Sequence, residues 1–295
     1  MQVVSFGTKL NTNIVLCLGY FGCMHLGHIE LVKRAKQMAA DNNCQVALFT
    51  FENDVLSVQG KHSKAVFTYQ ERLKIYQDIG IDIVITANFD DEFRQTKGHE
   101  FLSSLMMYNL KGVVFGFDYT CGNDKMNSDQ VYDFLACKVP VQVVDAVVVD
   151  NTKISTSLVA SLIGNSDIDN ANKLLTESYF ISGNVVKGRH VGSTIGFPTA
   201  NIAVNNSKVL PIGVFAGYCN VDGKSYKCIV NIGAKPTFEI STHTIEVHLL
   251  DYCGNLYGTN LTVHLTKRIR EIIKFDTVEQ LIAQLQKDKE AVLDD

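Results

Sequence analysis

The chain has 295 residues, 46% of them hydrophobic, which is enough apolar material for two separate cores. Its formal net charge is −4 and its Lys and Arg residues are scattered, so we expect no nucleic acid as its main ligand. No basic segment followed by an apolar core opens the sequence, and no apolar run approaches the ~20 residues that span a bilayer. We therefore expect small-molecule substrates and no membrane segment.

The eight cysteines contain no C-x-x-C pair, and several of them, such as Cys17, lie inside apolar runs. Small buried thiols of this kind are typical of proteins from reducing compartments, where disulfides are rare. We expect free thiols, a cytoplasmic location, and a monomer or a weak homo-oligomer.

The first half of the chain alternates short β-branched runs with segments of helical periodicity, which is typical of βα units that build a parallel sheet. The predicted strands are 14–18, 46–51, 83–86, 112–117 and 141–149, and the predicted helices are 29–41, 70–79 and 100–108. We interpret residues 1–178 as a doubly wound α/β domain.

The second half changes character, because glycine turns separate short strands as antiparallel hairpins require. Two short helices, 155–162 and 167–176, precede these strands, and a helix at 278–292 follows them. The predicted strands are 185–186, 215–221, 226–232, 244–252 and 261–265. We interpret residues 179–295 as a small antiparallel β-barrel with a C-terminal helix.

A glycine-rich loop, 19–28, joins the first predicted strand to the first predicted helix. Its H-x-G-H motif puts His25, Gly27 and His28 at a helix N-terminus, where free N–H groups attract phosphate and imidazoles can donate to phosphoryl oxygens. A glycine loop with surface histidines and no ligand could have the same sequence. The strand, the loop and the helix, however, follow one another in the order that a phosphate site requires. We predict a nucleotide phosphate site here.

This loop resembles that of the nucleotidyltransferase superfamily, and specifically the FMN adenylyltransferase module of prokaryotic bifunctional FAD synthetases. The likeness continues through Phe67–Leu73, Gly80–Asp82, Gly116–Gly122 and Ile154–Ser157. It implies a site at which FMN and ATP react. The residues that the resemblance assigns to this site are Gly19, Phe21, His25, Gly27, His28, Asp118, Ser155 and Thr156.

Three motifs depart from the family pattern, and in one of them Glu52–Val55 replace a histidine-proline pair expected after the second strand. Gly22 replaces the acidic residue of F-D-G-V-H-x-G-H, and Leu158 and Ala160 occupy the two positions of I-S-S-T-x-I-R that are most often basic. Adenylyl transfer needs cations to hold the triphosphate and its leaving pyrophosphate. We therefore expect FAD formation to be slow or absent, unless Lys125 or Lys153 supplies the lost charge.

The segment that opens the barrel has four glycines between Gly183 and Gly196, which suits a flap whose N–H groups wrap phosphate, with Lys187 and Arg189 to screen the charge. Thr199 and Asn201 follow, two residues apart in extended chain, so their side chains face the same side. A hydroxyl and an amide carbonyl provide oxygen atoms of the kind that bind Mg²⁺. A simple turn after Pro198 is an alternative explanation for Thr and Asn at these positions.

A strand further along alternates, with Ile245, Val247 and Leu249 on one face and Glu246 and His248 on the other. A carboxylate in such a position can accept the proton of an attacking alcohol. Taken alone, this strand is explained more simply by a glutamate that faces solvent. The interpretation of Glu246 as a base therefore depends on its combination with the other motifs.

Residues 179–295 resemble the riboflavin kinase module that follows the adenylyltransferase in bifunctional FAD synthetases. The matching segments are Gly196–Asn201, Pro211–Phe215, Asn231–Phe238, Ile245–Asp251 and Leu256–Gly258. The resemblance implies Mg²⁺ at Thr199 and Asn201, and Glu246 as the base for the ribityl 5′-hydroxyl. It also implies nucleotide contacts at Lys187, Gly188, Arg189, Gly192, Gly196 and Pro198, and a flavin-side lip at Arg268, Arg270 and Phe275.

These motifs favour a riboflavin kinase that uses ATP and Mg²⁺, within a bifunctional FAD synthetase framework. Two alternatives stay open. One is a nucleotidyltransferase for another small phosphate ester, with the barrel as an accessory domain. The other is a flavin-binding or flavin-sensing protein that keeps the fold without the chemistry.

Overall fold

A computed structural model of the chain describes residues 1–53, 64–188, 192, 195–204, 207–235 and 242–294, with the backbone alone at 234, 235 and 242. These residues form two compact units, Met1–Thr156 and Ser157–Asp295. The boundary between residues 178 and 179 that the sequence suggests stays a prediction.

The first unit is built on a six-stranded parallel sheet with the spatial order β1-β4-β3-β2-β5-β6. Its strands are β1 (Gln2–Ser5), β2 (Asn13–Leu18), β3 (Gln45–Phe51), β4 (Ile83–Ala87), β5 (Asn109–Gly116) and β6 (Val141–Val144). Its helices are α1 (Leu26–Asp41), α2 (Tyr69–Asp78), α3 (Asp91–Gln95), α4 (Gly98–Ser104) and α5 (Ser128–Ala136). The predicted α/β class is confirmed.

The sheet has a switch point between β2 and β5. These two strands are neighbours, but β2 is followed in the chain by β3 on one side and β5 by β6 on the other. In open α/β sheets the crevice at the carboxyl ends of two such strands is where ligands bind. The H-x-G-H loop follows β2, and the loop that contains Asp118 follows β5.

The predicted strand 141–149 is interrupted in the structure. It ends at Val144, and the chain then forms a separate hairpin of β7 (Val148–Val149) and β8 (Thr152–Lys153). Asp150 and Asn151 have positive φ angles of 48° and 59°, as a two-residue hairpin turn requires. The turn brings Lys153 back toward the end of the sheet. Strand β1 and helix α5 were not predicted, because each has only two buried apolar residues or fewer.

The second unit is a closed barrel with the strand order β10-β13-β12-β11-β14-β9. Its strands are β9 (Phe180–Val186), β10 (Ala200–Ala203), β11 (Gly213–Val221), β12 (Lys224–Lys235), β13 (Thr242–Leu249) and β14 (Asn260–Arg270). Its helices are α6 (Thr156–Gly164), which begins at the last residue of the first unit, α7 (Ile168–Leu174) and α8 (Val278–Leu293). The predicted antiparallel barrel with a C-terminal helix is confirmed.

Alternation along the strands separates the inner and outer faces of the barrel. Buried residues on the inner face include Ile181, Val185, Ile202, Phe215, Cys228, Val230, Ile232, Ile245, Val247, Val263 and Leu265. On the outer face, Val214, Ala216 and Ile229 pack with Val292 of α8. The part of the outer face that α8 leaves uncovered includes Asn201, Asn231 and Glu246, beside the exposed Val186.

Candidate active sites

The first unit contains a cavity of about 890 Å³ at the carboxyl ends of its strands. It is lined by the loops that follow β2, β5 and β6 and by residues that follow the β7–β8 hairpin. All eight residues that the sequence assigned to an adenylyltransferase site line this cavity: Gly19, Phe21, His25, Gly27, His28, Asp118, Ser155 and Thr156.

The two histidines of the loop are held in defined tautomers. His25 is the N-cap of α1, and its Nδ1 accepts a hydrogen bond from the backbone N–H of His28 at 3.2 Å. His28 Nδ1 lies 2.5 Å from the carbonyl oxygen of Cys23, so this nitrogen donates. In the neutral state His25 therefore carries its proton on Nε2, the donor that a phosphate oxygen can accept, whereas His28 has Nε2 as an acceptor.

Close packing explains the glycine between the histidines. The His25 and His28 rings stack with centroids 3.7 Å apart and planes 12° apart. A Cβ at Gly27 would lie 3.1 Å from Cε1 of His25, which is tighter than an ordinary contact. Glycine thus leaves room for the His25 ring beside the first turn of α1, and the predicted approach of this backbone to a phosphate stays a prediction.

Burial keeps both histidines neutral in the free protein. Burial and, to a lesser extent, the neighbouring His28 together lower the pKa of His25 to about 2. Burial also lowers the pKa of His28 to about 4, although the bond to the Cys23 carbonyl and the charge of Asp118 oppose this shift. Negative phosphates would favour the protonated forms of both rings.

Lys153 and Asp118 form an ion pair at this cavity, with Nζ and Oδ2 2.6 Å apart. Lys153 also lies over the ring of Phe117, 4.5 Å from its centroid. Lys125 lines the same cavity with a positive φ of 53°. Both lysines that the sequence analysis named as substitutes for the missing arginines therefore lie at the cavity.

The structure gives a steric reason for Gly22. A Cβ at this position would lie 2.5 Å from Cε1 of Tyr20, so an acidic side chain here requires the Tyr20 ring to move. Leu158 and Ala160 both lie in α6 and are half-buried.

The cavity has an aromatic wall that was not predicted. Phe51 meets Phe89 and Phe93 edge to face, with centroids 5.0 Å apart in each pair, and all three line the cavity together with Arg94. The sequence shows only that Phe89 and Phe93 are closely spaced. This spacing does not distinguish residues that contact a ligand from residues that pack in a core.

In the second unit, Asn201 of β10 lies directly opposite Glu246 of β13. Side chains of directly opposite residues point to the same face, with Cβ atoms ~4.5–5.5 Å apart. Ile245 and Val247 are buried inside the barrel, so Glu246 and Asn201 are on its outer face. Thr199 directly precedes β10 and is half-buried. The candidate base and one candidate metal ligand are thus neighbours.

Two glycines of the flap lie close to the two candidate metal ligands, Gly188 to Asn201 and Gly192 to Thr199. A Cβ at Gly188 would lie 2.1 Å from the Nδ2 of Asn201, and a Cβ at Gly192 would lie 2.2 Å from the carbonyl oxygen of Phe197. At Gly192 the same Cβ would also come within 3.5 Å of the Thr199 hydroxyl. The flap backbone therefore borders the Thr199 and Asn201 side chains closely, as a cradle for a small ligand requires.

Of the remaining predicted nucleotide residues, Pro198 lies at the same face as Glu246 and His248. His248 Nδ1 donates to the carbonyl oxygen of Pro198 at 2.7 Å, which anchors the chain before Thr199. Gly196 has a φ of 82°, and Lys187 is exposed at the end of β9. Arg189 lies outside the described residues.

The predicted flavin-side lip is partly engaged in structural contacts. Arg270 pairs with the buried Asp288 of α8 at 2.7 Å and lies over the ring of Phe275, 5.9 Å from its centroid. Arg268 has a half-exposed side chain with an Nη 3.5 Å from Glu271. The structure therefore brings Arg270 and Phe275 together beside α8, with most donors of Arg270 occupied. Arg268 instead lies opposite Phe215, a residue of the inner face.

The fold and the sites define the chain as a two-domain transferase, with a nucleotide-binding α/β unit followed by a six-stranded barrel that has its own polar site. Residues 8–158 match the family model for FAD synthetase, and residues 175–294 match the model for riboflavin kinase. The chain belongs to the bifunctional riboflavin kinase/FMN adenylyltransferase family. Enzymes with these activities use ATP, riboflavin and FMN as substrates, typically with Mg²⁺.

Relatives with both activities match nearly the whole chain. The bifunctional riboflavin kinase/FMN adenylyltransferase of Bacillus subtilis is 34% identical over 95% of this chain and 91% of its own length. That of Listeria monocytogenes is 33% identical over 94% of this chain and 91% of its own length.

A solved structure shares the architecture. A Streptococcus pneumoniae crystal structure, described as a macrolide-efflux protein, is 27% identical and covers 99% of both chains with a TM-score of 0.92. The two chains thus share their fold. In the described part of the present chain, no helix is both long and apolar enough to cross a membrane.

Proposed function

We propose that the second unit forms FMN from riboflavin and ATP, and that the first unit joins FMN to a second ATP to form FAD. The observation that carries the kinase proposal is the pairing of Asn201 with Glu246 across β10 and β13. It puts a metal-ligating amide beside a carboxylate on one accessible face. Membership of the family supports both reactions.

In the proposed kinase reaction, Glu246 accepts the proton of the ribityl 5′-hydroxyl. The freed oxygen attacks the γ-phosphorus of ATP, the bond from this phosphorus to the bridging oxygen breaks, and ADP leaves. The flap that contains Lys187 and Gly188 would lie over the phosphates. The lip formed by Arg268, Arg270 and Phe275 would border the flavin.

The residues present fit a magnesium ion. Thr199 and Asn201 offer a hydroxyl and an amide oxygen, and the space that a Cβ at Gly188 would fill borders the Asn201 amide. We propose these two side chains as the protein ligands. Mg²⁺ bound there would neutralise charge on the transferring phosphoryl group.

In the proposed adenylyl transfer, a phosphate oxygen of FMN attacks the α-phosphorus of ATP, and the bond to the β-phosphate breaks to release pyrophosphate. His25 Nε2–H would donate to a phosphoryl oxygen. Lys153, now paired with Asp118, would turn to the triphosphate. Phe51, Phe89 and Phe93 offer aromatic edges to a flat ring system.

We expect the second reaction to be the slower one, because Leu158 and Ala160 supply no charge to the pyrophosphate. A cytoplasmic location and a monomeric or weakly associating state are proposed as well. The eight cysteines, all free thiols in the structure, support a reducing environment.

Product analysis tests the proposal. Purified protein is incubated with ATP, Mg²⁺ and either riboflavin or FMN, and the flavins are separated by chromatography. We expect FMN to accumulate from riboflavin and FAD to appear slowly from either substrate. Binding of riboflavin without any FMN would favour a flavin-binding protein, and turnover of another phosphate ester with ATP would favour a different nucleotidyltransferase.

A further inference from the structure

We propose that Asn231 of β12 is a positioning residue that holds the Glu246 carboxylate in place for the kinase reaction. This inference rests on the proposed riboflavin kinase function of the barrel. In the sequence, Asn231 is only the first residue of the segment Asn231–Phe238 that resembles riboflavin kinases, and the resemblance assigns it no role.

The strand register carries the first step of the argument. Glu246 lies directly opposite Asn201 on one side and directly opposite Asn231 on the other. Val230 and Ile232 are buried inside the barrel, so Asn231 points to the outer face, as Glu246 does. The carboxylate is therefore the middle member of a row of three polar side chains, with a carboxamide on each side at ~4.5–5.5 Å between Cβ atoms.

The two carboxamides of this row have different surroundings. Asn201 is bordered by the flap, since a Cβ at Gly188 would contact its amide. Asn231 lies on the other side, two residues from Gly233, where a Cβ would come 3.4 Å from Cδ1 of Ile272. Asn201 thus lies on the side of the flap, and Asn231 lies toward the segment that follows β14.

The two carboxamides can have different roles beside the Glu246 carboxylate. If Asn201 uses its amide oxygen for a cation, the orientation of its amide is set by that ligation. An Asn231 N–H can donate to one oxygen of Glu246, which restricts the side-chain rotamers and leaves the other oxygen free for the hydroxyl proton. Such a hydrogen bond would contribute most to the reaction rate if the carboxylate must be aligned with the hydroxyl to within a few tenths of an ångström.

Other charged groups on this face are few among the described residues. His248, two residues after Glu246, is bound to the Pro198 carbonyl, and Arg270, at the end of the row beyond Val214, is paired with Asp288. Lys187 is exposed on the flap. None of these is directly opposite Glu246, so Asn201 and Asn231 are the side chains whose replacement changes the surroundings of Glu246 most directly.

The test uses Asn231→Ala, Asn231→Asp and, as a control, Asn220→Ala, an exposed asparagine near the end of β11. FMN formation by the full chain is measured across pH with riboflavin and Mg-ATP varied separately. We expect kcat to fall roughly 10- to 100-fold in Asn231→Ala, as for loss of a hydrogen bond to a charged group, with little change in the KM for ATP. The control should match the parent protein.

Asn231→Asp is the sharper variant, because two carboxylates directly opposite each other resist joint ionisation. We expect the acidic limb of its kcat profile to move to higher pH, a change that a purely structural role would not produce. An unshifted profile with an unchanged kcat in both variants would overturn the inference while the parent protein still makes FMN. Absence of FMN in the parent protein would instead overturn the proposed function, and with it the role of Asn231.

Discussion

Arg270 of β14 and Asp288 of α8 form a bidentate ion pair, with Nε 2.9 Å from Oδ1 and an Nη 2.7 Å from Oδ2. Asp288 is only 1% exposed, and Gln284 donates a further hydrogen bond to it at 2.9 Å. The other Nη of Arg270 donates to the carbonyl of Glu271. The pair therefore joins the terminal helix to the barrel and fixes the chain where the lip begins.

The first prediction follows from the burial of this pair. Asp288→Asn leaves the Arg270 guanidinium without its counter-charge, and breaking a buried pair in this way typically costs about 3–5 kcal/mol. We expect the unfolding transition of the barrel to move to a lower urea concentration. Glu290→Gln, an exposed residue of the same helix, serves as the control. Equal midpoints for the two variants would show that the pair is not structural.

The second prediction concerns the metal. Asn201→Ala, and Thr199→Ala to a lesser degree, should raise the Mg²⁺ and ATP concentrations needed for FMN formation, because each removes one oxygen from a short ligand set. Gly188→Ala should have a similar effect, since its Cβ would meet the Asn201 amide. Gly164→Ala is the matched control, because its Cβ would make an ordinary contact at 3.8 Å. Unchanged Mg²⁺ dependence in both ligand variants would place the ion elsewhere.

The third prediction concerns pH and the stability of the first unit. The pKa of His25 is lowered to about 2 and that of His28 to about 4, whereas a histidine in an unfolded chain titrates near ~6.5. Between these values the unfolded state binds more protons than the folded state. The free energy of unfolding should therefore fall as the pH drops from about 6.5 toward 4.

Urea denaturation at several pH values measures this dependence. His28→Gln should flatten it, because one of the two protons is no longer taken up on unfolding. His99→Gln, an exposed histidine on α4, should leave it unchanged. The same slope in all three proteins would contradict the idea that His28 is held neutral by burial.

The fourth prediction separates the two activities. FAD should form slowly in the parent protein, and the double change Leu158→Arg and Ala160→Arg should accelerate it, by roughly 10- to 100-fold for each charge-assisted contact restored. Adding Gly22→Asp should help less, because the new side chain must displace the Tyr20 ring. FMN formation in the barrel is the internal control. Rapid FAD synthesis by the parent protein would show that Lys153 or Lys125 already supplies the charge.

Local patterns in the sequence were sufficient for much of this account. The order of strand, loop and helix around His25 and His28 is local, and so is the alternation that puts Glu246 on the outer face of β13. The positive φ angles of Asp222 and Gly223 confirm the hairpin turn predicted between β11 and β12.

What the sequence could not provide are relationships between distant segments. The register that pairs Glu246 with both Asn201 and Asn231 depends on barrel closure, and no local pattern encodes it. The engagement of Arg270 by Asp288 likewise appears only when α8 packs on the barrel. The clash that a side chain at Gly22 would make with Tyr20 depends on the shape of the loop.

The most direct test of the account is transfer of labelled γ-phosphate from ATP to riboflavin by the parent protein and by Glu246→Gln. A neutral amide keeps the shape of the side chain but cannot accept the hydroxyl proton, and loss of a general base typically costs ~10²–10⁴-fold in rate. We expect labelled FMN from the parent protein and almost none from the variant, with riboflavin and ATP still bound. Equal label transfer by the two proteins would contradict the assignment of Glu246 as the base.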